Sequence, residues 1–368
     1  MQCTEAAWPT TEEYLRQFNA KTELLRTPVS GSIDLTHTCN LRCIHCYLGR
    51  QSPARQLRSQ EMSTEKMLSV VDEITDAGCF EVVLTGGEPL IRKDFTEIYR
   101  HIKLSGILVT VFSNGTLITD HIVDLFGELP PHTIEISLYG ATAETYEKIT
   151  GVKGSYKKCL SGIEKLVGRN LPVRLKTILM TLNAHEFTDI EKIAERFGVK
   201  FRFDPAIFPA FNGDRDPIRL RVPPEEAIAR EFASEKVLHE WLDYYEKHRD
   251  SPPLETLYAC AAGVTNFHID PCGNLQPCVM VTEPRYDLNS GAFLAGWQTV
   301  ISGIAELRPP AAFPCRHCSL RALCSYCPAF FRLENGSDTI RSEYLCTLGK
   351  RRFYMIAKNG YNEKRRER

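Results

Sequence analysis

The chain has 368 residues, of which 45 are Lys or Arg and 46 are Asp or Glu, so its formal net charge is −1. This balance argues against nucleic acid or an acidic membrane as the main binding partner. No apolar run has the length of a membrane span, and residues 1–5 lack the basic and apolar regions of a signal peptide. We therefore expect a cytoplasmic protein, with enough hydrophobic residues (43%) for one large domain and a smaller one.

Alternating strand and helix patterns fill the first part of the chain. Residues 1–28 are predicted as a helical lead-in that is capped by Thr10 or Thr11. Patterns rich in Val, Ile, Thr and Phe then recur, with helical patterns between them. The predicted strands are Ser32–Thr36, Glu81–Thr85, Leu108–Phe112, Thr133–Leu138, Val173–Met180 and Lys200–Phe203. Six such units predict a parallel sheet, doubly wound or curled into a partial barrel, with its chemistry at the carboxyl ends of the strands.

Prolines divide the chain after this series. Pro223 and Pro224 end a predicted core domain over residues 29–224, and a linker helix follows over residues 225–258. A small cysteine-rich domain is predicted over residues 259–349. The basic residues 350–368 are predicted as a solvated tail.

The number of cysteines is unusual for a chain without an export signal. Fourteen cysteines in a reducing compartment favour metal ligation over disulfides. Three lie between Cys39 and Cys46, and eight lie between residues 260 and 346. The remaining Cys3, Cys79 and Cys159 are predicted to be buried structural thiols.

The first cysteine group, here called the N-terminal cysteine loop (residues 39–46), directly follows the first predicted strand. Cys39, Cys43 and Cys46 can converge on one metal centre. Three protein ligands would leave one iron of a four-iron cluster free for a small molecule. The spacing alone also allows a zinc site with His45 or His37 as the fourth ligand.

A Cys-x3-Cys-x2-Cys pattern after the first strand of a β/α series resembles the radical S-adenosylmethionine (SAM) superfamily. The resemblance implies a partial (β/α)6 TIM-like barrel and a [4Fe–4S] cluster held by Cys39, Cys43 and Cys46. It also implies that the free iron binds SAM, and that SAM is cleaved to a 5′-deoxyadenosyl radical, which abstracts hydrogen from a substrate. His45 is then expected near the adenine of SAM.

Three further segments at strand ends resemble the SAM-binding motifs of this family. Gly86, Gly87, Glu88 and Pro89 match its GGEP motif, in which close backbone approach and a carboxylate hold the SAM ammonium group. The other two segments imply contacts to the ribose and methionine of SAM, and their residues are Ser113, Asn114 and Ser137.

The second cysteine group, here called the C-terminal cysteine region (residues 259–349), contains two Cys-x2-Cys pairs. Such pairs alone are typical of a zinc ribbon, but the whole pattern resembles the SPASM extension, which carries two auxiliary [4Fe–4S] clusters. The implied ligands are Cys315, Cys318, Cys324 and Cys346 for the outer cluster, and Cys260, Cys278 and Cys327 for the inner cluster. The inner cluster has either an open iron, which we favour, or Cys272 as its fourth ligand.

The substrate is the least specified part of the interpretation. Sulfatase maturases of this group have Asp where this chain has Val279, so that activity loses support. The resemblance favours maturation of a ribosomally made peptide by crosslinking, oxidation or epimerisation, with tetrapyrrole or other cofactor chemistry as the alternative. A non-catalytic zinc-ribbon or electron-transfer protein is the alternative of another class. Expected partners are a flavodoxin or ferredoxin as electron donor and a separate leader-peptide-binding protein.

Overall fold

The computed structural model describes residues 10–49 and 59–366, with side chains as far as residue 359. Cys3 and the last two residues of the predicted tail, 367 and 368, lie outside this described part. The predicted lead-in forms helix α1, and Thr10 caps it in a reciprocal arrangement with Glu13. No helix in the described ranges is long and apolar enough to cross a membrane.

The strands and helices alternate along the chain as predicted. The strands are β1 Ser30–Thr36, β2 Glu81–Gly86, β3 Leu108–Ser113, β4 Thr133–Ser137, β5 Val173–Ile178, β6 Lys200–Asp204, β7 Asn266–Ile269, β8 Asn274–Gln276 and β9 Tyr286–Asp287. The helices are α1 Thr11–Leu25, α2 Thr64–Asp76, α3 Phe95–Leu104, α4 Asp120–Glu128, α5 Ala143–Thr150, α6 Ser155–Gly168, α7 Phe187–Arg196, α8 Pro224–Glu231, α9 Glu235–His248, α10 Phe293–Thr299, α11 Pro328–Asn335 and α12 Glu343–Arg366. The six predicted strands are confirmed, with ends that differ by at most two residues.

One sheet connects the two halves of the chain. Its order is β6-β5-β4-β3-β2-β1-β7-β8-β9. Strands β1 to β6 pair in parallel, as the α/β partial-barrel prediction requires. Strand β7 also pairs in parallel with β1, whereas β8 and β9 continue the sheet in antiparallel pairing. The sequence analysis did not predict the addition of these three strands to the sheet.

The two faces of the sheet differ in polarity because successive side chains of a strand point to opposite faces. Ile33 and Leu35 of β1 are fully buried and pack with helical residues such as Ile98 in the main core. The intervening side chains line the other, inner face of the partial barrel, and most of them are polar. They include Ser32, Asp34, Thr85, Thr110, Glu135, Ser137, Lys176, Arg202 and His268.

The end of the chain differs from the predicted solvated tail. Helix α12 begins within the C-terminal cysteine region and continues across residue 350 to Arg366. Arg352 is buried, and its guanidinium donates hydrogen bonds to the Glu231 carboxylate and the Leu323 carbonyl. A buried guanidinium needs such partners, so this basic segment connects α12 to α8 and to the cysteine region.

Candidate functional site

The predicted site residues meet at one edge of the sheet. The N-terminal cysteine loop follows β1, Gly86–Pro89 follows β2, Ser113 and Asn114 lie at the end of β3, and Ser137 ends β4. Neighbouring parallel strands place their carboxyl ends side by side. The sheet therefore brings together the four segments that the sequence analysis singled out.

Backbone hydrogen bonds hold the cysteine loop against the end of helix α5. The amide of Arg42 donates to the Thr150 carbonyl at 2.8 Å, and the amide of Ile44 donates to the Ile149 carbonyl at 3.0 Å. Burial raises the pKa of the Cys39 thiol to about 11. A thiol in such surroundings becomes a thiolate only when a nearby positive charge, such as iron, stabilises it.

The glycine pair after β2 is required by the backbone that leads into the cysteine loop. Gly86 has a φ of +117°, and a Cβ there would lie 2.3 Å from the Thr36 carbonyl oxygen. A Cβ on Gly87 would lie 2.3 Å from the Thr38 carbonyl oxygen. The amides of Gly87 and Glu88 donate to these two carbonyls at 2.7 and 3.0 Å. The sequence analysis expected these glycines to let the backbone approach a ligand. They also let it approach the Thr36 and Thr38 carbonyls, and this contact sets the position of the cysteine loop.

Glu88 connects the tips of β2 and β3. Its carboxylate is fully buried and accepts hydrogen bonds from the Ser113 hydroxyl at 2.9 Å, the Asn114 amide at 2.7 Å and the Leu90 amide at 3.3 Å. The last contact caps a short 3-10 helix over Pro89–Ile91. Burial raises the pKa of Glu88 to about 7. A bound ammonium group beside this carboxylate would favour its charged form.

Asn114 joins the tip of β3 to the cysteine loop. Its side-chain amide donates to the Asn40 side-chain oxygen at 2.9 Å and lies 3.8 Å from the Cys39 sulfur. Its side-chain oxygen accepts from the Thr116 amide, and Asn40 donates to the Thr116 hydroxyl at 2.8 Å. The sequence analysis missed Asn40 and Thr116, because no local pattern shows that residues 76 positions apart meet.

His45 has a free polar edge. It is buried, its Nδ1 has no hydrogen-bond partner among the described residues, and its ring lies 4.5 Å from the Tyr139 ring. Burial lowers the pKa of His45 to about 4, so the ring is neutral at physiological pH. An unpartnered buried ring nitrogen suits a ligand with hydrogen-bonding groups on an aromatic ring, which fits the adenine expected there.

A charged group on the inner face was not found from the sequence. Arg202 binds the Glu135 carboxylate through two nitrogens at 3.1 and 2.5 Å, and the Lys176 nitrogen lies 3.6 Å from the same carboxylate. Lys176 is opposite Ser137 in the strand register, and its ammonium lies 3.0 Å from the centre of the Phe112 ring. Burial lowers the pKa of Lys176 to about 7. This cation can attract a carboxylate to the inner face.

The C-terminal thiols fall into two neighbourhoods. Burial and the nearby thiols of Cys327 and Cys260 raise the pKa of Cys278 to about 12. Burial together with a second set of thiols raises the pKa of Cys324 to about 12. This second set consists of Cys315, Cys318 and Cys346. The neighbourhoods coincide with the inner and outer ligand sets implied by the SPASM resemblance, and their occupation by clusters stays a prediction.

Cys272 lies apart from both neighbourhoods, at the tip of the β7–β8 hairpin. Its amide donates to the Asp270 carboxylate at 2.9 Å, and the charged groups near its thiol are Asp270, Glu61 and Arg285. Strand β7 runs parallel to β1, so this tip lies toward the N-terminal cysteine loop, whereas Cys278 follows β8 back in the opposite direction. The structure does not bring Cys272 to Cys278.

The donor set of the N-terminal loop suits an iron–sulfur cluster. Besides its three thiols, the loop directs the Leu41 amide toward the Cys39 sulfur at 3.4 Å, and amide donors of this kind stabilise a ligating thiolate. Within residues 10–49 and 59–366, no three His, Cys, Asp or Glu side chains converge on a site for a single metal ion. Cys79 and Cys159, predicted as structural thiols, are buried in the main core.

The sequence model of the radical SAM superfamily matches residues 33–197. This span contains the cysteine loop and all the strand tips described above. Residues 33–197 are thus a domain of the radical SAM superfamily. This match, together with the relatives and structures that follow, confirms the predicted resemblance to radical SAM enzymes with a SPASM extension.

Curated relatives and solved structures agree with this membership. The chain is 30% identical to the AdoMet-dependent heme synthase of Methanosarcina barkeri over 59% of its own length, and it spans 58% of that relative. It is 25% identical to the mycofactocin maturase MftC of Mycobacterium tuberculosis, over 80% of this chain and 76% of MftC. The structure of Streptococcus suis SuiB bound to SAM is similar, with a TM-score of 0.68 at 16% identity, covering 93% of this chain and 84% of SuiB. At this identity the likeness to SuiB shows the fold.

Proposed function

We propose that this radical SAM protein matures a ribosomally made peptide. The observation that carries the proposal is the hydrogen-bonded network from Glu88 through Ser113 and Asn114 to Asn40 beside the Cys39 sulfur. It gives the cysteine loop and the SAM-type strand tips one shared, buried arrangement. Cys39, Cys43 and Cys46 would hold the [4Fe–4S] cluster. With SAM bound, the cluster supplies a 5′-deoxyadenosyl radical for hydrogen abstraction.

The protein residues have positioning roles in this proposal. Glu88 is assigned to the SAM ammonium group and His45 to the adenine, with Gly86, Gly87, Pro89, Ser113, Asn114 and Ser137 completing the SAM site. Cys260, Cys278 and Cys327 would hold the inner auxiliary cluster, with an open iron. The remaining Cys315, Cys318, Cys324 and Cys346 would hold the outer one. We assign the reaction to the cytoplasm, where a flavodoxin or ferredoxin can supply electrons and a separate protein can deliver the leader peptide.

Two observations support a peptide substrate. MftC is a maturase, and SuiB has been solved bound to its precursor peptide SuiA. The inner face of the barrel is polar and charged, with Glu135, Lys176 and Arg202 among its residues. Such a face matches a peptide better than a large apolar ring system, because buried polar groups need polar partners.

Tetrapyrrole chemistry is the second candidate. It is favoured by the similarity to heme synthases, including a 25% identity over 87% of this chain to the protein from Oleidesulfovibrio alaskensis. Lys176 and Arg202 would then meet the carboxylates of a tetrapyrrole. Incubation with an iron porphyrin that carries propionate groups, followed by mass spectrometry, separates the two candidates. Only tetrapyrrole chemistry predicts that the porphyrin loses mass.

Anaerobic reconstitution with iron, sulfide and a reductant tests the proposed function. The wild-type chain should form 5′-deoxyadenosine from SAM, and combined replacement of Cys39, Cys43 and Cys46 by Ala should abolish it. Cys79→Ala is the control, because that thiol is buried in the main core and should leave cleavage unchanged. If the triple variant cleaves SAM as fast as the wild type, the assignment is refuted. Zinc in place of iron in the purified protein would favour a zinc module.

A further inference from the structure

Asp34, on the inner face of β1, has no role in the site described above. It is 1% exposed. One carboxylate oxygen lies 3.3 Å from His37 Nε2 and 3.9 Å from His268 Nε2. The other oxygen is buried and has no hydrogen-bond partner among the described residues. A buried carboxylate oxygen without a donor is energetically unfavourable in the folded protein, so it suggests a site for a ligand rather than a structural contact.

Two histidines lie beside Asp34, and one of them is on the neighbouring strand β7. The hydroxyl of Ser32 lies 2.8 Å from His268 Nδ1, and the two residues are opposite each other in the β1–β7 register. Burial lowers the pKa of His268, so its ring is neutral near pH 7. His37, which lies at the entrance to the cysteine loop, is the other side chain in contact with this carboxylate.

The position of Asp34 relates it to the reaction site. It lies two residues before Thr36, whose carbonyl receives the Gly87 amide beneath the cysteine loop. A Cβ on Gly86, at the tip of β2, would lie 3.3 Å from the Asp34 Cβ, so Asp34 is next to the segment assigned to SAM. Both features place the free carboxylate oxygen on the inner face, below the loop, where a substrate inside the barrel would face the SAM site.

We propose that Asp34, supported by His268, is a substrate subsite that accepts a hydrogen bond from the side chain of the peptide residue entering the barrel. The subsite selects residues with a hydroxyl, amide or ammonium donor over apolar residues of the same shape. This inference rests on the proposed function for the identity of the substrate as a peptide. The evidence that Asp34 is a free hydrogen-bond acceptor comes from its own contacts and does not depend on the proposed function.

Binding of blocked amino acids to the reconstituted full chain with SAM tests the subsite. The probes are N-acetyl amides in matched pairs, namely tyrosine with phenylalanine and lysine with norleucine. Their dissociation constants are measured by ligand-observed NMR for the wild type, Asp34→Asn and Asp34→Ala. The wild type should bind the tyrosine and lysine probes about tenfold more tightly than their apolar counterparts, since hydrogen bonds to charged groups are strong. The Ala variant should lose this preference and the Asn variant should keep a smaller one.

The control variant is Thr110→Val, a change of equal shape on the inner face of β3 that should leave the preference intact. Thermal unfolding without probes supplies a second readout, and Asp34→Asn should unfold at the wild-type temperature or higher. A preference that persists in Asp34→Ala would overturn the subsite. Marked destabilisation of both Asp34 variants, or SAM binding weakened by Asp34→Asn with the probe preference unchanged, would also overturn it. If the wild type shows the Asp34-dependent preference but forms no 5′-deoxyadenosine, the proposed function fails while the subsite stands.

Discussion

The two cysteine sites differ in what holds them in place. The N-terminal loop is attached by backbone hydrogen bonds to β2 and to the end of α5, which belong to the main core. Cys315, Cys318 and Cys324 lie among turns and short 3-10 segments, and the amides of Cys318 and Cys324 donate to carbonyls three residues back, at 3.4 Å. The first site is therefore formed by the fold, and we expect the second to depend more strongly on its ligands for order.

Removal of iron should produce the largest difference in stability between the two cysteine regions. Treatment with a chelator under anaerobic conditions should leave the sheet, including β7 to β9, folded and make residues 310–342 of the cysteine region sensitive to protease. The physical reason is that removal of iron removes the positive charge that stabilises the buried thiolates, whose pKa values are raised without it. Limited proteolysis with mass spectrometry, before and after chelation, measures the difference. Equal protection of both regions would show that protein packing alone orders the C-terminal cysteines.

The anchor of the C-terminal region is tested by Arg352→Ala. This change leaves the Glu231 carboxylate and the Leu323 carbonyl without their buried donor, and should lower the free energy of unfolding by about 3 kcal/mol. Arg351→Ala is the matched control, because Arg351 pairs with Glu225 at the exposed surface and should change stability by less than about 1 kcal/mol. Denaturant unfolding measures both variants. Equal effects would mean that burial of this ion pair is unimportant.

The contact between β2 and the cysteine loop is tested by Gly87→Ala. The new Cβ would meet the Thr38 carbonyl at 2.3 Å, so the loop must move. We expect a loss of about 1–3 kcal/mol in the free energy of unfolding, together with weaker SAM binding. Gly127→Ala in α4 is the control, since its Cβ meets nothing within 4 Å and a helical alanine stabilises by up to about 1 kcal/mol. Unchanged SAM affinity in Gly87→Ala would show that the loop tolerates the movement.

The smallest effect concerns the protonation of Glu88. Burial raises its pKa to about 7, above the value of about 4.3 in an unfolded chain. The folded state thus favours the protonated form, and this stabilisation, complete at low pH, is lost as the pH rises through 7. Between pH 5.5 and 8 the wild type should lose about 1–2 kcal/mol of stability relative to Glu88→Gln, measured by unfolding without SAM. Added SAM should reduce the loss, and parallel curves with and without SAM would argue against an ammonium beside Glu88.

Features with a local pattern could be predicted from the sequence. The strands have alternating or continuous apolar residues, and the cysteines have fixed spacings, so both were identified without the structure. The Asn40–Thr116 and Asp34–His268 contacts join residues far apart in the chain, and no periodicity reports on them. One local signal was available, because Ser32, Asp34 and Thr36 alternate with Ile33 and Leu35 and indicate a strand with one polar face.

The parallel pairing of β7 with β1 has a consequence for the solubility of the core domain. In a partial barrel β1 would otherwise be a terminal strand, with a row of free amide and carbonyl groups able to recruit another chain. The register from Ser30 opposite Asn266 to Ile33 opposite Ile269 covers this edge. The C-terminal region thus protects the sheet against self-association, and a chain cut before residue 259 should aggregate even though its barrel strands are complete.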